Sequence, residues 1–468
     1  MSAVYIPSQS ASVLLARYVA DVAYAEIPAP AIAAAKRSLV DAIGVTLAAS
    51  GIDQVCRPFV DLAIESGGAQ QSTIFGFGHR VPLAMAAFAN GAMAHAMDFE
   101  DSHDGALVHP NAATVPAALA VAQARHLGGR DVLAAVAVGC DVVCRLGLAF
   151  KDDPGAMGWY MPPILGAFGA TAAAARLLGL SQTQVLDAFS LTLCQATCSA
   201  ELKYSAHSTV RAVRDAFGAK AGVVSAQLAA KGVRGFELPF EGRAGLFALY
   251  GNGRFDQEQL VGDLGSRFEG VQVGFKPWPS CRGTHPYIEA AIELAGAFDL
   301  HARDIASAEV TVGPLIRMLC EPAEQKRRPA TAIDAKFSVP FTVATALCHR
   351  RVGFDHFLPS ALQDGDVLNL ADKVRFEVDS ALGWRDAVTG SLTLTTHDKR
   401  TVSKHIAHAY GHPSNPMSDD ALAAKFLECA RHAVNPVPMA AAARFAEQVQ
   451  RLEQVDDIND AIDLLHAE

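Results

Sequence analysis

Four signatures are missing from this chain: a Walker loop, a GxGxxG turn, an HExxH helix and a GxSxG elbow. Their absence argues against nucleotide, flavin and zinc-protease chemistry. The glycine-rich run Gly76–Arg80 (GFGHR) lacks the spacing and helix context of a nucleotide loop. Charge is sparse too, at 19% of residues, with a net charge of −10 and a sequence pI of about 5.9. Basic clusters are as short as Lys326–Arg328, which excludes nucleic acid as the expected partner. The nine cysteines form no CxxC pair. Cys140/Cys144 and Cys194/Cys198 stand four apart, on one helix face each, where small apolar packing explains them. Every stretch long enough to span a membrane carries polar interruptions. The most apolar, Val132–Phe150, contains Asp141 and Arg145 and has the period of a core helix. Met1–Ser12 lacks the charged start and apolar core of a secretory leader. The expected compartment is reducing and cytoplasmic.

What is abundant is alanine-rich apolar sequence. Hydrophobic residues make up 51% of the 468 positions, and the mean hydropathy is +0.19. That length implies two domains. The composition implies extensive burial, including a subunit interface. Stretches such as AAFANGAMAHA and GATAAAARLLG favour helices whose backbones approach closely.

The first half reads as successive helices, at Ala11–Ala25, Ala31–Ala49, Val81–Met97, Thr114–Leu127, Arg130–Phe150 and Pro162–Leu178, with no convincing strand. Ser181 is an expected N-cap, and Arg211–Lys231 reads as one long helix. Beyond Phe275 the pattern changes. After a helix at Pro286–Phe298, the segments ASAEVTVG, VRFEV and SLTLTT alternate with the period of a strand. Phe337–Cys348 between them reads as helical after Pro340, and helices return from Asp419. The expected fold is mainly α: an all-helical large domain, 1–269 and 410–468, with an inserted smaller α+β lid domain at 270–409.

Chemistry concentrates in His95–Pro110, HAMDFEDSHDGALVHP, which interrupts two alanine-rich helices. It holds His95, Asp98, Glu100, Asp101, His103, Asp104 and His109. A solvated loop accounts for the acids, with Asp98 as a cap and His95 as a satisfied core histidine. It accounts less well for His95 and Asp98 lying three apart on one helix face. Three chemical readings also fit: histidines as general acid and base, a metal site, or substrate binding alone. A second cluster, Lys276–His285 (KPWPSCRGTH), sets Lys276, Ser280, Arg282 and His285 on proline-stiffened backbone suited to carboxylate capture, or to a hinge with solvated charges. Arg211 and Arg214 stand three apart at a helix start, where the dipole favours anions; a surface salt bridge to Asp215 or Glu201 is the alternative.

Four blocks together resemble the MmgE/PrpD family: residues 89–120 around His95–Pro110, KPWPSCRGTHPYIEAA at 276–291, DAKFSVPFTVATAL at 334–347 and GHPSNPMSDDALAAKF at 411–426. The resemblance covers essentially the whole chain. It implies a helical domain built from both chain ends, an inserted lid domain, a homodimer, and catalysis on small polycarboxylates without metal or organic cofactor. Asp98 matches the aspartate of the family's HaxDFDD run, His109 the histidine of the following HP pair, and His285 that of the block opened by Lys276. Ser102 falls where the family's cis-aconitate decarboxylases show threonine. Three departures from those decarboxylases stand out: Met161 in place of a histidine, Arg211 in place of a lysine, and Phe341 in place of a tyrosine.

The resemblance implies proton transfer at a carbon beside a carboxylate. The expected assignment makes His109 and His285 the acid–base pair, with Asp98 orienting one histidine. Arg211, Lys276 and Arg282, with Ser102 and Ser280, would hold substrate. Dehydration of a 2-methylcitrate-like acid is the leading expectation, with epimerisation and decarboxylation as alternatives. Two rivals come from other classes. One is a metal-dependent lyase or hydrolase using His95, Asp98, His103 and His109; the other is a non-catalytic carboxylate-binding protein.

Overall fold

The computed structural model describes residues 9–205, 208–383, 386 and 388–466. Residues 1–8, part of the opening segment expected not to be a leader, lie outside them. The chain is mainly α-helical. It divides into two compact units, one running to Val273 and resuming at Ser418, the other spanning Gly274–Met417.

The first unit is a stack of helices whose spacing is set by small residues. Leu83–Ala96, Asn111–Arg125, Gly129–Ala149, Met161–Leu177 and Asp215–Ala230 pack on one another, with glycine and alanine at several of the closest approaches. A Cβ added at Gly91 would come within 2.9 Å of the Ala219 Cβ, and one at Gly222 within 2.6 Å of the Ala170 Cβ. At Gly169 it would sit 2.2 Å from the Val143 side chain and 2.9 Å from the Gly139 carbonyl. These helices are held at distances only glycine and alanine permit.

Gly129–Ala149 has the length and apolar composition of a membrane span, but 94% of that window is buried inside the unit. Its charges are internal structure. Arg145 Nε donates to Asp141 Oδ2 at 2.6 Å, and the same guanidinium donates to the carbonyls of Gly262 and Arg267 at 2.7 and 2.6 Å. Asp141 Oδ1 accepts the Glu269 amide at 2.7 Å. A buried pair so fully bonded is tolerated.

Two expectations need correction here. The helix expected over Arg211–Lys231 is broken: Val210–Val213 forms one turn, and Asp215–Ala230 begins after Arg214. The first half does contain strand, a two-residue ladder pairing Ser72–Thr73 with Arg80–Val81 around left-handed Gly76 and Gly78. It is too short to show alternation. Ser181 caps its helix as expected, its hydroxyl accepting the Gln184 amide.

The second unit carries a four-stranded sheet. Ile305–Val312 pairs parallel with Val374–Val378 on one side and antiparallel with Gly390–Thr396 on the other. Thr401–Ile406 completes the sheet as an antiparallel edge. This last strand escapes sequence reading because only Val402 and Ile406 are buried, so TVSKHI reads as polar. Val339–His349 is the expected helix, started by Ser338, whose hydroxyl accepts the Phe341 amide at 3.0 Å. Residues 410–415 belong with this unit because Glu289, on the helix His285–Ala297, accepts from the Tyr410 amide and the Asn415 side chain at 2.6 and 3.0 Å.

Replacing Gly169 with Ala is expected to destabilise the protein by roughly 1–3 kcal/mol, the usual range for overpacking, despite alanine's better helix propensity. A lowered thermal midpoint with unchanged helix content by circular dichroism checks this. An unchanged or raised midpoint would mean that the close helix spacing does not depend on glycine.

Candidate active site

The loop after Leu83–Ala96 folds the acids and histidines of the first block inward. Asp98 adopts φ +49°, in the left-handed region, and its amide donates to the His95 carbonyl at 2.7 Å. Aspartate tolerates that region better than most residues, and the turn ends the helix abruptly. His103 and Val108 then bridge antiparallel, closing the rest of the loop. From His95 through Asp104 every residue is buried.

At the centre is Glu100. Its Oε1 lies 2.6 Å from His95 Nδ1 and 3.0 Å from His109 Nδ1. The two rings stand 5.3 Å apart. Behind His95, the Arg214 guanidinium donates to Nε2. This fixes the tautomer: Nε2 accepts, so Nδ1 carries the proton and donates to Glu100. Burial, with Arg214 next, lowers the His95 pKa below its ordinary value, against the opposing pull of Glu100. His95 is therefore a neutral, fully engaged ring. Arg214 stacks on the Tyr160 ring at 4.7 Å and faces Asp215 at 3.6 Å from Nε to Oδ2. Arg214 and Asp215 are both buried, so the alternative of a surface salt bridge does not hold.

His109 is held differently. Its Nδ1–H donates to the Asp101 carbonyl at 2.9 Å, and the same nitrogen lies 3.0 Å from Glu100 Oε1. Its Nε2 makes no hydrogen bond among the described residues, and the side chain is 16% exposed. One nitrogen is anchored and the other is available as a base. Asp101 is wholly buried; its carboxylate accepts the Asn111 side chain at 2.5 Å. Burial, then repulsion from Asp41, raises its pKa from 3.8 to about 7.

The expected residues fare unequally. His109 and Asp98 do come together with His95 and Glu100, their ligand atoms all within 4.8 Å of one another. A second carboxylate joins Asp98, the residue expected to orient a histidine: Glu100 accepts from His95 Nδ1 and lies 3.0 Å from His109 Nδ1. Spacing does not choose among acids at 98, 100, 101 and 104. His103, counted among possible metal ligands, is elsewhere: Nδ1 accepts the Ala106 amide at 3.0 Å and Nε2 lies 3.6 Å from Glu269. The guanidinium on His95 Nε2 also opposes a metal cation at this cluster. Ser102 donates to Asp104 at 2.7 Å. Arg211 is buried in the turn before Arg214, its carbonyl accepting from the Arg214 side chain. Met161 opens the helix directly after Tyr160.

The second expected cluster lies in the other unit. His285 is fully buried; Arg282 donates to its Nδ1 at 3.2 Å, so its Nε2 proton goes to the Ser280 carbonyl at 3.1 Å. Arg282 also donates to the carbonyls of Tyr410 and Ala409, at 2.7 and 3.2 Å. Ser280 shares a hydrogen bond with Thr284 at 2.8 Å, and Lys276 is fully buried. To act as acid or base, His285 has to exchange one of these bonds. Phe341, the third departure, is buried in the same unit.

Glu100 thus lies beside two imidazoles, with an arginine behind one and an open nitrogen on the other. Similarity to known proteins gives the chain's lineage. The family model described as the MmgE/PrpD N-terminal domain matches residues 13–258, and the MmgE/PrpD C-terminal domain matches residues 278–454. The chain belongs to the MmgE/PrpD family. Cis-aconitate decarboxylase-like protein oryM of Aspergillus oryzae is 27% identical, with 99% of this chain and 98% of that protein covered. Cis-aconitate decarboxylase of Mus musculus is 26% identical over 84% of this chain and 80% of its own. The Homo sapiens enzyme of the same name is 27% identical over 74% and 72%.

The raised Asp101 pKa has a consequence for stability. The folded state keeps this proton up to about pH 7, whereas the unfolded chain releases it near 3.8. The favourable contribution is complete below pH 3.8 and is lost as pH rises through 7. Asp101→Asn removes that loss. The thermal midpoint of Asp101→Asn relative to the parent is expected to climb from pH 4.5 to pH 7.5 and then level off. A difference independent of pH would show that Asp101 ionises normally.

Proposed function

We propose that this protein is a cofactor-independent lyase that removes water from a small di- or tricarboxylate of the 2-methylcitrate type. The observation that carries the reading is the Glu100–His109 pair. With Nδ1–H donated to the Asp101 carbonyl, His109 presents a lone pair on Nε2, and the imidazolium formed on taking a proton is stabilised by the Glu100 carboxylate 3.0 Å away. His109 Nε2 takes the proton from a carbon next to a substrate carboxylate. The electron pair passes into the enediolate, then into the new C=C bond as the β-hydroxyl departs with a proton. Arg211 is the proposed cation in the first unit that steadies the charge on the substrate carboxylate. On chemical grounds, His285 is carried forward as the group that protonates the hydroxyl, with Lys276 and Arg282 as further carboxylate-binding cations.

Decarboxylation is the second reading, favoured by the names of the relatives. Met161, Arg211 and Phe341 speak against it, since they replace a histidine, a titratable lysine and a hydroxyl in the resemblance. An arginine keeps the charge but gives up no proton at neutral pH.

The protein is to be incubated in D2O with 2-methylcitrate, citrate and cis-aconitate, followed by proton NMR and CO2 capture. Water loss with solvent deuterium entering at the deprotonated carbon is the expected result. CO2 from cis-aconitate would assign decarboxylation instead, and no change in any compound would overturn the enzyme reading. On the active compound, His109→Asn should lower kcat about 10²- to 10⁴-fold, the usual span for a general base. Glu100→Gln should cost roughly tenfold or more with little change in KM. If both variants kept near-parental turnover, the assignment of the base would fall. His285→Asn tests its own proposed role in the same assay.

A further inference from the structure

The block GHPSNPMSDDALAAKF carries, one residue from its end, a lysine that the proposed chemistry does not use. Lys425 lies on the helix Asp419–Arg431, which packs against Ala29–Ile52. Its side chain is only 5% exposed. The ammonium donates to Asp41 Oδ1 at 2.6 Å and to the Phe99 carbonyl at 2.6 Å, and it stands 3.8 Å from the centre of the Phe99 ring. Phe99 immediately precedes Glu100, and Asp101 comes next.

We propose that Lys425 is a positioning residue: resting on the acid–base reading above, it clamps Phe99 so that Glu100 and the Asp101 carbonyl meet His109 Nδ1. Three observations converge on this. A buried lysine–aspartate pair by itself adds little to stability, because desolvation consumes most of the attraction. Here the lysine spends a second donor on backbone next to the key carboxylate, where a bond purely between helices would not reach. The ammonium over the Phe99 ring holds the side chain as well as the carbonyl. Finally, the Asp101 carbonyl that accepts from His109 Nδ1 and the Glu100 carboxylate 3.0 Å from the same nitrogen belong to the two residues that follow Phe99. A shift at Phe99 therefore moves both groups together.

The test removes the bond without stranding a buried charge. In Lys425→Met/Asp41→Asn both charges go, and the packing volume is kept. With the clamp lost, kcat is expected to fall at least tenfold, KM to stay within about threefold, and the thermal midpoint to stay close to the parent. Histidine-selective ¹⁵N NMR gives a readout independent of turnover: His109 is expected as the Nδ1–H tautomer in the parent and as a tautomer mixture in the double variant. Parental kcat and an unchanged tautomer in the double variant would overturn the proposal. If the parent turns over none of the tested acids, the lyase reading fails while the tautomer measurement still decides the clamp. A second variant, Lys425→Gln/Asp41→Asn, retains a neutral donor for the Phe99 carbonyl and leaves no charge unpaired. Recovery of the His109 tautomer there supports the clamp; a loss equal to that of the methionine pair overturns it.

Discussion

One oxygen of Glu100 organises the buried cluster of histidines and acids in the first unit. An anion buried among helices is costly unless donors surround it, and here His95 Nδ1–H donates to that atom while His109 Nδ1 lies 3.0 Å from it. Each donor imposes a condition on its neighbourhood. The neutral His95 ring donates from Nδ1 because Arg214 occupies Nε2 as a donor. His109 donates from Nδ1 to the Asp101 carbonyl, and its Nε2 makes no hydrogen bond among the described residues. One histidine is thus bonded at both nitrogens and the other at one.

The surrounding frame meets these conditions through close packing. His95 ends Leu83–Ala96, Tyr160 and Met161 begin Met161–Leu177, and Arg214 precedes Asp215–Ala230. These helices approach so closely that glycine and alanine are the only residues at several crossings, Gly91 to Ala219 and Gly222 to Ala170 among them. Larger residues would separate the elements that bring the guanidinium to the imidazole. The alanine-rich composition and the placement of the charges are two aspects of one constraint.

Much of the helical class is legible because period and capping are local. Asn111–Arg125 and Gly129–Ala149 emerge within a few residues of expectation, and Ser181 behaves as the cap it resembles. The break at Arg214 is not legible, because nothing in STVRAVRDAF disfavours helix. The chain breaks there where Arg214 buries its guanidinium against His95 and Tyr160. The edge strand Thr401–Ile406 is hidden for the opposite reason, since an exposed edge has no need of apolar alternation. At the site, the motif points to His109 and Asp98, and the structure adds Glu100, which lies beside both His95 and His109.

The sequence by itself determined the mainly helical class, the family, and the stretch of sixteen residues in which acid–base groups crowd together. Those properties reside in local pattern and in motif spacing. Tertiary structure alone decided which carboxylate serves the histidines, which tautomer each ring adopts, and that a lysine 326 positions away touches the loop. Proton positions follow from the direction of every neighbouring donor and acceptor, and those directions exist only once the helices are packed.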